Sequence, residues 1–352
     1  MRILIVCHHW SVASGRYMTD AFKRLGHDVR HVGPAHGRLI WGMDVAEKYV
    51  WEPDGELSPR VKNTIFLYDK EDQINWTPDL ILYMDSDPAI LDNEAKHFYV
   101  TNEHFDTISV RDLPDIPHIV YGVDNHVRDY RRPWFDHYFL AHHAHNVSMM
   151  AWGDPQYTNL LPYAPGVYND VVGRPYEDMT HLPCAYDPTL FTPSPISYAE
   201  REFDVAMIGV MYPQRWQLVN ELHAAGLKVL AGTGLIYEDY RDAYHNARIS
   251  LCVSIAGDVA QRVFETAAMG CAVVSDRCAD FERLNEQGIW FFRPERAVDE
   301  IKMLLNDELA AKQLIERSLE WVRPHTWDAR AQVIVDWVQK RQAGEAFYAT
   351  VE

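Results

Sequence analysis

Cysteine is scarce in this chain, five among 352 residues, an odd number scattered at Cys7, Cys184, Cys252, Cys271 and Cys278. Three of them sit in or beside apolar, strand-like runs. That pattern excludes a disulfide framework and a zinc cluster, and it is expected of reduced, buried thiols in a cytoplasmic protein. Long apolar runs are missing too. The opening run at residues 3–7 is too short for a secretory signal, and nothing approaches the roughly 20 residues of a membrane-spanning helix. Positive charge is in short supply, 33 Lys and Arg against 51 Asp and Glu, for a formal net charge of −18. Such a chain is repelled by bare nucleic acid and by anionic membrane unless basic residues cluster locally. The sequence also lacks internal repeats, low-complexity tracts and the Gly-x-Gly-x-x-Gly turn of a dinucleotide site.

What is present is the composition of a globular protein, 47% hydrophobic and 24% charged, in a length that suits two domains better than one. Aromatic residues are abundant, with 11 Trp and 19 Tyr, as suits a large core or a lined cleft.

The first half opens with a buried strand at residues 2–7, a loop, and an amphipathic helix on which Met18, Ala21, Phe22 and Leu25 fall at i, i+3, i+4 and i+7. Gly26 ends the helix and residues 28–32 form the next strand. This βαβ opening predicts a parallel sheet. Ser14, Gly15 and Arg16 lie at the helix start. They have two readings, an anion contact through free amides or a plain N-cap with an eased turn. Residues 33–62 are non-periodic and read as an insertion. Further strands are expected at 63–68, 79–84, 118–123 and 135–140, and a helix around 144–152.

Asp124 and His126, at the end of the 118–123 strand, have two readings, common turn residues or candidates for a catalytic base. Arg128, Arg131 and Arg132 form the clearest basic cluster, either a solvated surface pairing with Asp129 and Asp136 or a patch for an anionic acceptor. His142, His143 and His145 have no carboxylate or cysteine at ligand spacing, so no metal site is expected.

A proline-rich segment at 182–195 reads as the connection to a second domain. That domain opens with a strand at 203–209, ending in Gly209, and a loop into a helix whose first turn holds Pro213 and Arg215. A strand at 228–231 leads to the turn Gly232-Thr233-Gly234, either an ordinary glycine turn or one that admits a nucleobase. Another strand at 249–253 leads into a loop that carries Asp258.

Then comes Arg262-Val-Phe-Glu265-Thr-Ala-Ala-Met-Gly270-Cys-Ala-Val-Val-Ser-Asp276. It reads as a short helix, a glycine stop and a strand buried on both faces. Arg262 and Glu265, three residues apart, share one side of the helix. By spacing alone they are a surface ion pair. By chemistry a carboxylate there accepts from sugar hydroxyls and a guanidinium forks onto phosphate.

The run Arg-x-Phe-Glu-x-x-Ala-x-Gly, followed by an apolar strand and Asp276, resembles the donor-site helix of GT-B glycosyltransferases. The nearest resemblance is to CgeB-like spore-maturation proteins and family-4-type enzymes. The segment Asp187-Pro-x-x-Phe191-x-Pro193 resembles the interdomain connection of that family, and His325-Thr326-Trp327-x-x-Arg330 the run before its final helix. The 118–123 strand followed by Asp124, and Asp136-x-x-Phe139, match its first half in outline. The resemblance implies two Rossmann-like α/β domains facing a cleft, at 1–190 for the acceptor and 200–330 for the nucleotide-sugar donor. A terminal helix at 331–352 would cross back onto the first domain, and the loop at Ser14, Gly15 and Arg16 would overhang the cleft.

The implied activity is transfer of a sugar from a nucleotide-sugar, a UDP-sugar by expectation, to an acceptor hydroxyl, with retention and without metal or other cofactor. Glu265 would hold the donor ribose, and Arg215 and Arg262 the diphosphate. Gly209, Gly232, Thr233 and Asp258 would complete the donor site. Family-4 enzymes carry an earlier glutamate eight positions before the later one. Here that position is Gly257, as in CgeB-like members, and Asp258 is the substitute at hand. Two alternatives stand beside this reading: a phage-type enzyme acting on hydroxymethylated bases in DNA, and a nucleotide-sugar-binding protein without turnover.

Overall fold

The computed structural model describes residues 1–33, 35–40, 43–54, 64–66, 68–69, 74–85, 99–101, 107–109, 116–124, 130, 134–142, 179–254, 258–278, 280–281, 284 and 286–345. The chain divides into two compact units, Met1–Pro183 with Arg330–Glu352, and Cys184–Ala329. Among the described residues no helix is long and apolar enough to cross a membrane. All five cysteines are buried and unbridged.

The first unit is built on six parallel strands: β1 Arg2–Val6, β2 Asp28–Val32, β3 Leu80–Asp85, β4 His118–Gly122, β5 His137–Leu140 and β6 Met179–His181. Their order across the sheet is β6-β5-β4-β3-β1-β2. Helix α1, Ser14–Arg24, joins β1 to β2 and buries Met18, Ala21 and Phe22, three of the four positions its periodicity marks. Its N-cap is Ala13, not Ser14, so no side chain caps it. Gly15 is a glycine for lack of room, since a Cβ there would stand 2.7 Å from Cys7 Sγ. Leu4, Val6, Val32, Ile81, Tyr83 and Val120 fill one core of this unit with Trp76 and Tyr130. The strand expected at 63–68 is shorter, Thr64–Phe66, and pairs with Tyr99–Thr101 in a separate small sheet. The helix expected around 144–152 lies outside the described residues.

The second unit holds a five-stranded parallel sheet: β7 Phe203–Ile208, β8 Val229–Gly232, β9 Ala247–Cys252, β10 Ala272–Ser275 and β11 Ile289–Phe291. The order is β8-β7-β9-β10-β11. Helices α2 Pro213–Ala224, α3 Tyr237–His245 and α4 Gln261–Ala268 follow β7, β8 and β9, and α5 Ala297–Asn306 and α6 Glu308–Val322 follow β11. β7, β9 and β10 carry Val205, Met207, Ile249, Leu251, Ala272 and Val274 into one cluster with Ile301 and Leu314 from the helices. The end of α4 shows why residue 270 is glycine. Its amide bonds to Ala267 O and that of Cys271 to Thr266 O, a Schellman closure whose C′ residue sits at φ 71°.

The last helix, α7 Trp327–Gln342, starts in the second unit and from Arg330 onward belongs to the first. Within the first unit Arg330 Nε donates to Pro183 O at 2.8 Å, and Trp337 lies 5.1 Å from the ring of His137. Arg341 pairs with Asp136 at 2.6 Å. From Arg330 onward the terminal helix therefore belongs with the first unit.

The first unit also buries an unusual pair. His9 Nε2 lies 2.9 Å from His31 Nδ1, and both rings pack on Trp51. Burial, with His31, His36 and His8 adding to it against a bond to Cys7 O, pushes His9 down to about 3. Burial, with Lys23 and Arg16 adding to it against Asp54, brings His31 to about 4. Both therefore stay neutral where an unfolded chain, with an ordinary histidine value near 6.5, takes up protons. Their contribution to stability is complete above about pH 6.5 and is lost as pH falls. Amide exchange in residues 1–32 is expected to accelerate between about pH 6.5 and 5, once intrinsic rates are corrected, while residues 203–275 keep their protection. His31→Gln should flatten that slope, and an equal slope in wild type and variant would rule the histidine pair out as its cause.

Candidate functional site

In the second unit the strand order reverses at β7, with β8 on one side and β9 on the other. In an open parallel sheet the ligand crevice lies beyond the carboxyl ends of the strands at such a switch point. Gly209 follows β7, Val253, Ser254 and Asp258 follow β9, and Asp276 follows β10, so these sequence candidates gather at one edge.

Arg215 stands in the first turn of α2 and is 6% exposed. Its Nη1 donates to Val210 O at 2.7 Å, and its Nε and Nη2 to Val253 O. It therefore ties the loop after β7 to the end of β9, with one N–H on each terminal nitrogen unused among the described residues. Burial, and the neighbouring Arg262 charge after it, lower its guanidinium to about 10.

Arg262 and Glu265 are not a surface ion pair. Glu265 is 7% exposed, and its partners are Tyr240 Oη at 2.9 Å and Gln261 Nε2 at 2.6 Å. Burial raises its carboxyl above the usual range, against those two hydrogen bonds and the Arg262 charge. Two donors leave lone pairs on both carboxylate oxygens for further hydroxyls.

The Arg262 guanidinium lies against Gly209, its Nη2 2.8 Å from where a Cβ would stand. Gly209 holds φ 143°, a conformation other residues rarely adopt, while its N–H bonds to Gly232 O at 2.8 Å. Arg262 Nη1 is buried without a hydrogen-bond partner. Among the described residues no carboxylate lies within 4 Å of the group as an ion-pair partner. A buried N–H left unmade costs about 1–3 kcal/mol, more on a charged group. A guanidinium held so, with a second one beside it, has the chemistry to take an anion.

Asp258 accepts from Ser254 Oγ at 2.9 Å, and Asp276 accepts from the Ser254 amide at 2.8 Å. Burial raises the Asp276 carboxyl, and Asp258 adds to it. Gly232 faces open space, with nothing within 4 Å of where a Cβ would stand, and Thr233 follows it out of β8.

In the first unit Ser14, Gly15 and Arg16 begin α1, and Arg16 Nη1 donates to Tyr49 O at 2.7 Å. Asp124 follows β4, its amide 3.3 Å from Tyr130 Oη. His126, Arg128, Arg131 and Arg132 lie outside the described residues. Among the described residues no three His, Cys, Asp or Glu side chains gather as metal ligands would.

Sequence reasoning missed Tyr240, Gln261 and Ser254. Gln261 was legible, four residues before Glu265 on one helix face. Tyr240 belongs to another helix, and nothing local signals its bond to Glu265.

Residues 194–336 match the family model described as glycosyl transferase-like. Among solved structures, sucrose-phosphate synthase from Thermosynechococcus elongatus is similar over 98% of this chain and 100% of its own, with TM-score 0.58 and 12% identity. HepE from Anabaena, solved with UDP-glucose, is similar over 97% and 100%, with TM-score 0.59 and 12% identity. An alpha-glucosyltransferase solved with UDP and a 13-mer DNA containing a HMU base covers 97% and 100%, with TM-score 0.57 and 13% identity. No curated protein sequence matches this one. Residues 194–336 thus match a glycosyl transferase-like family, and over its whole length the chain shares the GT-B fold of these structures, two Rossmann-like α/β units.

Proposed function

We propose that the chain transfers a hexosyl group from a UDP-sugar to an acceptor hydroxyl, with retention, without a metal, and in the cytoplasm. The observation that carries this reading is the buried Arg262 Nη1, without a hydrogen-bond partner among the described residues, beside Arg215 at the switch point, with Glu265 on the same helix. The two guanidiniums take the diphosphate. As the bond from the sugar's anomeric carbon to the β-phosphate oxygen breaks, they stabilise the charge that gathers on the leaving group. Glu265 accepts from the ribose hydroxyls through its spare lone pairs, Asp258 serves a sugar hydroxyl, and Gly232 and Thr233 leave room for the base. On the acceptor side, Asp124, with His126 two residues on, is the assigned base, and the acceptor oxygen bonds to the anomeric carbon as its proton leaves. The UDP and UDP-glucose bound in two similar structures support UDP as the carrier.

A second reading sends the sugar to a modified base in DNA. It rests on the fold shared with the DNA-bound alpha-glucosyltransferase and on Arg128, Arg131 and Arg132, against a net charge of −18. Duplex binding that falls steeply with salt would favour it.

The test is a thermal-shift screen with UDP, GDP and ADP and their sugars on wild type, Glu265→Ala and Glu265→Gln. A ligand at 100 times its Kd adds about 2.7 kcal/mol. The shift is expected with uridine compounds on wild type, and to be lost in Glu265→Ala. Because ionised Glu265 is held at a cost, the ligand-free Glu265→Gln variant is expected to melt no lower than wild type at pH 7. No shift with any nucleotide would sink the donor site.

A further inference from the structure

Past the carboxyl end of β1 the chain continues extended, and His9 forms a parallel bridge to Ala35 that prolongs the β1–β2 pairing. Side chains of extended chain alternate between faces. His9 points into the unit, fully buried against His31 and Trp51. His8 and Trp10, on either side of it, take the other face, where they meet His36. The Trp10 and His36 rings stack with centroids 3.4 Å apart and planes 6° from parallel. His8 Nδ1 lies 2.7 Å from His36 Nε2, and its ring is stacked 5.0 Å from that of His36. All three side chains are half-buried.

Three observations say what this stack is for. Its place is the switch point of the first sheet, since β1 has β2 on one side and β3 on the other. Its charge is nil on the His36 ring, which burial and the neighbouring His8 push down to about 4. Its edges carry unused hydrogen-bonding groups, for among the described residues neither the Trp10 indole N–H nor His36 Nδ1 has a hydrogen-bond partner. A flat apolar face edged by neutral donors and acceptors matches a pyranose ring, which presents a C–H face and equatorial hydroxyls. A phosphate or carboxylate finds no counter-charge in this ring stack. The His9–His31–Asp54 layer beneath fixes the loop, with His31 N donating to Asp54 Oδ2 at 2.8 Å, so little ordering remains for a ligand to impose.

We propose that the Trp10–His36 stack seats a neutral hexopyranose, the acceptor sugar of the transfer. The inference deepens the glycosyltransferase reading and rests on it for the word acceptor. The ring seat itself stands on the geometry of the first unit alone.

Saturation-transfer NMR tests it with methyl α-D-glucopyranoside, methyl β-D-galactopyranoside and cellobiose as probes, and a duplex oligonucleotide as the rival occupant. Wild type is expected to saturate the ring protons of at least one glycoside. The signal should fall about tenfold in Trp10→Ala, as loss of one stacking face implies, and fall in His36→Gln as well. The second variant decides the matter if the first does not fold. Saturation of no glycoside by wild type overturns the proposal, as does equal saturation by wild type and both variants. Saturation of the duplex alone also overturns it. The nucleotide thermal shift on wild type is read separately. A glycoside signal that depends on Trp10 with no nucleotide shift keeps the ring seat and removes the donor reading, and a nucleotide shift with no glycoside signal does the reverse.

Discussion

Replacing Arg262 by methionine is expected to slow sugar transfer by about 10²–10³-fold and to leave the melting temperature unchanged or raised. The two halves of this outcome share one cause. The Arg262 guanidinium is buried with an unpartnered Nη1, beside the second charge of Arg215. In the ligand-free protein it contributes an unmade hydrogen bond and a like-charge repulsion, both unfavourable. Methionine follows its path through Sδ to the terminal methyl and removes both penalties. The opposing term is the loss of a cation near Glu265, which is modest because that carboxyl is already raised by burial and held by Tyr240 and Gln261. Diphosphate, arriving with its charge, meets only Arg215 in the variant. Steady-state transfer or hydrolysis of UDP-glucose, read beside differential scanning calorimetry, checks both halves. A variant that melts several degrees lower with its activity intact would make Arg262 a packing residue and nothing more.

How much of this was legible in the sequence differs between the halves for a physical reason. From residue 200 onward the strands are buried on both faces and read as apolar runs, and the helices between them are short and periodic. The α4 helix, its glycine stop and the β10 strand were placed from fifteen residues because each boundary has its own local chemistry. The surface reading of Arg262 and Glu265 failed because spacing fixes which residues share a helix face, not what that face meets. It meets Gly209, from β7, and Tyr240, from α3, both distant in sequence. Arg215 was placed in its first turn correctly, but its bonds to Val210 and Val253 carbonyls depend on where two loops end, which no pattern of side chains encodes. In the first unit the β1-α1-β2 opening was plain. The ring stack was not, because its partners His8, Trp10 and His36 belong to two loops brought together by one bridge beyond the strands.

Gly209→Ala tests the same site from the backbone side. The residue holds φ 143°, which costs a non-glycine residue about 1–3 kcal/mol. The new methyl would stand 2.8 Å from Arg262 Nη2 and 3.4 Å from its Cζ. A guanidinium at a side-chain tip is usually free to swing away, but the Nη1 of this one is buried, so the group gives way only by leaving its place beside Arg215. For a domain of about the size of the second unit each kcal/mol lowers the melting temperature by about 2–4 °C, so a drop of roughly 2–12 °C is expected together with loss of the nucleotide shift. The decisive measurement is the double variant. In Gly209→Ala/Arg262→Met the methyl no longer meets a guanidinium, and only the backbone strain remains. The stability cost of Gly209→Ala should therefore shrink in the Arg262→Met background, a coupling of about 0.5–3 kcal/mol between residues in contact. Strict additivity would mean that the glycine serves the turn after β7 alone, and that the close approach of Arg262 plays no part in keeping position 209 free of a side chain.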